Sequence, residues 1–138
     1  EYGIEYTGVD GLTIGYAQGD VEKTTNTKST NDTMYAKYAI GGITAGIQFS
    51  EKDNESGVDY ESTGVGVSYQ VNDDLAVSYG AHTIETSTTT PDQDSSAVSF
   101  SYTMGSLSIS GSLHNVDSVN HSTTNDREHY ELSVGFNF

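Results

Sequence analysis

Apolar and small residues alternate along nearly the whole chain, and this restricts its fold more than any other feature. In residues 128–138, Tyr130, Leu132, Val134, Phe136 and Phe138 interleave with Glu131, Ser133, Gly135 and Asn137. A period of two places the first set on one face of a β-strand and the second set on the other. Eight upstream segments repeat the pattern, at 2–7, 12–17, 34–40, 43–50, 63–71, 75–82, 97–104 and 107–114. A helical period is not sustained anywhere, so the expectation is an all-β chain of nine strands.

The second face decides the surroundings. In a soluble sandwich it would carry Lys, Glu and Arg against water. Here it is mostly Gly, Ser, Ala and Thr, opposite a face of aliphatic and aromatic residues. Such a strand suits a wall between lipid and a wet interior, which is the pattern of a transmembrane β-barrel. Each apolar run is too short to cross as a helix. The last strand ends on an aromatic residue, Phe138, as a barrel-closing strand does when its tip sits in the interfacial girdle.

The connections alternate as well. Val9-Asp10-Gly11, Gly41-Gly42, Asn72-Asp73-Asp74 and Gly105-Ser106 have the composition of tight turns. The linkers at 19–31, 51–59, 87–95 and 116–127 are longer and polar. Short periplasmic turns alternating with long external loops characterise membrane barrels. The fold expected is therefore an antiparallel up-and-down transmembrane β-barrel, one domain over residues 1–138. Nine is odd and complete bacterial barrels are usually even, so the chain reads as the C-terminal part of a larger barrel. The other reading is an eight-stranded barrel from Leu12 onward with residues 1–10 as an additional piece.

Composition narrows the function. The net charge of −15, with 20 acidic against 5 basic residues, argues against nucleic acid as a partner. There is no Cys, hence no disulfide and no thiol chemistry. Tyr outnumbers Phe ten to four, which suits an amphipathic aromatic girdle as well as ordinary strand propensity. The only proline, Pro91, falls in a long linker, where it breaks no ladder. No signal peptide is visible, and an exported protein would have lost one. Carboxylates crowd the long linkers: Asp20, Glu22, Glu51, Asp53, Glu55, Asp59, Asp92, Asp94, Asp117 and Asp126. They read as a solvated surface or, alternatively, as an external rim that holds divalent cations weakly and bridges to lipopolysaccharide phosphates. No linker has EF-hand spacing.

GLTIGYAQGD, YAIGGITAGIQFSE, VNDDLAVSYGAHT and YTMGSLSISGSLHN, in that order and followed by ELSVGFNF, resemble the hairpins of Gram-negative general porins of the alphaproteobacterial type. The resemblance covers nearly the whole chain. It implies a sixteen-stranded, water-filled barrel of the outer membrane, usually trimeric, for passive diffusion of small hydrophilic solutes. The terminus also resembles the signal read by the barrel-assembly machinery, with Glu131 at its polar place and Phe136 and Phe138 at its aromatic places. Ser133 stands where the family often has Gly.

By alternation Glu5, Lys37, Gln48, Gln70, His82, His114 and Glu131 face the pore, and Lys37 is the one basic residue among the pore-facing set. His121 and His129 lie in or beside the last linker. A metal site needs three or four converging ligands; His82 and His114 are separated by a strand, so no metal or cofactor is expected and the histidines read as polar lining. No nucleophile motif suggests an enzyme. A diffusion pore with a modest cation preference is the leading function. An eight-stranded structural or adhesive barrel and a soluble secreted β-protein are the alternatives.

Overall fold

The computed structural model describes residues 1–23 and 27–136. They form one nine-stranded sheet: β1 Tyr2–Val9, β2 Leu12–Lys23, β3 Thr27–Ile40, β4 Ile43–Asn54, β5 Tyr60–Gln70, β6 Leu75–Thr86, β7 Gln93–Met104, β8 Leu107–Asp117 and β9 Arg127–Phe136. The strands pair in chain order and every pairing is antiparallel. Among the described residues one 3-10 turn, Val119–His121, interrupts the meander.

The alternating segments become strands because the β-branched and aromatic residues pack along one pleated face. Gly41 and Gly105 open two of the tight turns at φ 56° and 61°, a left-handed conformation that two-residue hairpins demand. β1 is a member of the sheet, paired with β2 over Tyr2–Tyr6 and, after a register shift, again at Val9. That corrects the reading of residues 1–10 as an addition to an eight-stranded unit.

The strands also run further than the apolar pattern does. β2 and β3 stay paired from Leu12↔Tyr38 to Lys23↔Thr27, so most of the linker expected at 19–31 is hairpin. Likewise 51–54, 93–95, 116–117 and 127 belong to strands. The cause is that polar Thr, Ser, Asn and Asp continue the ladder through their backbones, with no apolar signal in their side chains. The connections at 55–59, 87–92 and 118–126 remain the long ones.

No apolar side chain is buried among the described residues; the one buried polar residue is Ser29. Large apolar side chains instead stand exposed: Ile4 at 72 %, Ile40 at 61 % and Leu113 at 56 %. A sheet of this size with no core has no solvent-side explanation, because so large an apolar surface is not tolerated in water.

Candidate functional site

The register sorts every paired side chain onto one of two faces. Tyr2, Tyr16, Tyr38, Phe49, Tyr69, Tyr79, Phe100, Tyr102 and Phe136 share the apolar face, as alternation anticipates. Phe138 lies outside the described residues. Glu5, Lys37, Gln48, Gln70, His82, His114 and Glu131 share the opposite, polar face.

These seven fall on four successive cross-strand rows. The first runs Glu5–Gly15–Tyr35–Gln48–Gly64–His82–Ser95. The next runs Lys37–Gly46–Gly66–Gly80–Ala97–His114–His129. The third is hydroxyl-rich, Thr44–Ser68–Ser78–Ser99–Ser112–Glu131. The fourth is Gln70–Ala76–Ser101–Ser110–Ser133.

Local chemistry holds these rows in place. Gly15 lacks a side chain, so the Tyr35 ring crosses over it and its phenol donates to the Glu5 carboxylate at 2.5 Å. Ser78 and Ser99 share a hydrogen bond of 2.7 Å, and Thr33 and Ser50 one of 3.0 Å. Gln48 Nε2 donates to Ser50 Oγ at 3.2 Å. His114 Nε2 sits 2.9 Å from Ser112 Oγ. A shallow depression over the serine rows is lined by Ser68, Ser78, Ser99, Ser110 and Glu131 among others. The face thus offers water and polar solutes many weak hydrogen-bonding partners.

Longer strands add residues that alternation over the short segments misses. Lys52 and Arg127 join Lys37 on the polar face, so Lys37 is not its sole basic residue. His129 lies beside the last connection, on β9, and is the direct partner of His114 in the register. Its signal was present in the sequence, since it precedes Tyr130 on the same alternation that places Glu131. His121 belongs to the 118–126 connection, where its Nδ1 meets the Pro91 carbonyl at 3.0 Å.

The carboxylates divide in a way the sequence did not suggest. Asp20, Glu22, Glu51, Asp53, Asp94 and Asp117 stand on strands, on the same side as the apolar face but beyond its band. Asp32, Glu51, Glu61 and Glu85 are neighbours on four adjacent strands. Repulsion from Asp53 first, then desolvation and Glu61 and Asp32, pushes the Glu51 carboxyl above its ordinary value. Asp20 is held below its own by the Lys28 ammonium at 3.1 Å and by the Thr30 hydroxyl. Where this acidic belt meets the aromatic band, Tyr2 donates to Gln18 and Tyr16 to Asp32, each at 2.5 Å. No group of three or more His, Asp or Glu among the described residues is arranged to hold a metal ion.

The fold is that of solved porins. A porin structure refined at 1.8 Å superposes with a TM-score of 0.76 at 14 % identity, over 97 % of this chain and 50 % of that one. NanC porin gives 0.69 at 11 %, over 99 % and 76 %. An anion-selective porin from Comamonas acidovorans gives 0.66 at 14 %, over 83 % and 37 %. The chain therefore spans half the length of the first of these. No curated protein sequence matches it. The family model for Gram-negative porins matches residues 1–138, end to end. With its coreless meander and its two opposed faces, the chain belongs to the Gram-negative porin family, channel proteins of the bacterial outer membrane.

Proposed function

We propose that the chain forms part of the wall of a closed, water-filled barrel through which small hydrophilic solutes and ions diffuse passively. The observation that carries this reading is the exposed apolar face, continuous across nine strands, backed by a face of hydroxyls, amides and scattered charges. Lipid satisfies the first and water the second. Glu5, Lys37, Gln48, Gln70, His82, His114 and Glu131 then line the pore. Membrane lipid and lipopolysaccharide surround it, and the working unit is a homotrimer. Glu131, Phe136 and Phe138 present the closing strand to the barrel-assembly machinery.

The pore prefers cations modestly. Glu5 and Glu131 on the polar face, with Glu55, Asp59, Asp92 and Asp126 in the long connections, support this sign. Lys37, Lys52 and Arg127 oppose it, and the strand-borne acidic belt turns the other way. Planar-bilayer recording of the full-length protein tests both parts. Stepwise ohmic conductance is expected, with a reversal potential across a KCl gradient on the cation side. Absence of conductance from correctly folded protein would overturn the pore reading.

A further inference from the structure

The nearest pair of titratable rings on the polar face is His114 on β8 and His129 on β9. They are direct register partners, and their ring centres lie 6.2 Å apart with the planes tilted by 37°. Directly opposed side chains in an antiparallel pair have Cβ atoms roughly 4.5–5.5 Å apart, so both imidazoles rise from one spot on the wall. Neither points into a core: His129 is exposed and His114 is half-buried.

We propose that His114 and His129 form a two-histidine surface site for a divalent late transition-metal cation, in which water takes the places that the three- or four-ligand sites of zinc proteins fill with further side chains. A metal–imidazole bond of about 2.0–2.1 Å puts a ring centre roughly 3.2 Å from the ion. Two rings that share an ion then have centres no more than about 6.4 Å apart, and the observed separation lies inside that limit. At that separation the angle at the ion is wide, so a tetrahedral or square-planar site requires the two rings to turn toward each other about their side-chain torsions. His114 Nε2 now rests on the Ser112 hydroxyl, a neutral partner that an incoming ion displaces at little cost.

Among the described residues, the charges beside the pair offset one another. On β9, Glu131 follows His129 on the same face and attracts a cation, while Arg127 precedes it and repels one. Across from them β8 offers Ser112 and Val116, and β7 places Ala97 beside His114, none of them charged. Imidazole suits Cu2+, Ni2+ and Zn2+, and affinity across the row peaks at Cu2+. The hard cations Mg2+ and Ca2+ prefer oxygen ligands and should be refused.

The test is a Cu2+ titration of the full-length, detergent-folded protein followed by electron paramagnetic resonance. Wild type should bind one Cu2+ with hyperfine structure from two imidazole nitrogens. His114→Gln and His129→Gln should each weaken binding at least tenfold, while His82→Gln leaves it unchanged. Calcium in excess should not compete. Equal binding by wild type and both pair variants, a one-nitrogen signal, or displacement by calcium would each overturn the proposal. None of these readouts depends on conductance, so the site stands or falls apart from the pore reading.

Discussion

The Tyr35 phenol reaches the Glu5 carboxylate at 2.5 Å by lying across Gly15, which sits between them in the same cross-strand row. A Cβ at Gly15 would come within 2.2 Å of the Tyr35 ring. The glycine is thus a gap that lets one strand reach over its neighbour to the next. Gly15→Ala should displace the ring, break the bond to Glu5 and cost about 1–3 kcal/mol, the usual scale of overpacking. In the double variant Gly15→Ala with Tyr35→Ala the two effects should be strongly non-additive, because the ring that clashes is gone. Urea unfolding in lipid vesicles measures all the corners of that cycle.

A charge placed on the two faces of β5 should have opposite consequences. Val67 stands on the apolar face and its neighbour Ser68 on the polar face. Val67→Arg should destabilise by about 2–4 kcal/mol if it lies near the bilayer midplane. Ser68→Arg should fold normally and change conductance instead. Equal destabilisation by both would mean that the faces are assigned wrongly.

Aromatic truncation on and just after β9 should act on assembly before it acts on transport. Phe136 is 66 % exposed on the apolar face and shares a row with Leu107 of β8. Phe136→Ala and Phe138→Ala should lower the yield of heat-resistant barrel in the outer membrane, while the barrels that do form conduct with unchanged selectivity. Gel mobility before and after heating reads the first effect and single-channel recording the second.

Selectivity should respond to the polar-face charges by sign. Lys37→Gln should strengthen cation preference, and Glu131→Gln should weaken it, since a wall of one sign raises the local concentration of the opposite ion. Both shifts should shrink at high salt, because exposed charges act over only about 8 Å at physiological ionic strength. Reversal potentials at low and high KCl provide the measurement. Asp20→Asn, on the outward belt, should change them least.

Much of this architecture is legible in the chain itself. The parity of each apolar segment depends on a period of exactly two residues, and a slip of one would have turned a whole strand inside out. Tyr16, Phe49, Tyr79 and Phe100 meet on one face for that reason alone. The polar ends were illegible for the complementary reason. Asp20, Thr30 and Asp53 carry no apolar alternation, and only the backbone ladder reveals that they continue β2, β3 and β4.

What the sequence determined alone is therefore the alternating segments and the side to which each banded residue points, because these follow from a local, periodic pattern; that β1 belongs to the same sheet came from its pairing with β2. What the tertiary structure decided is which residues stand next to one another across strands. The Glu5–Tyr35 bond, the acidic row from Asp32 to Glu85 and the His114–His129 pair all join residues distant in sequence. Their neighbourhood is set by register and strand length, which depend on hydrogen bonds between backbones and leave no periodic trace in the side chains.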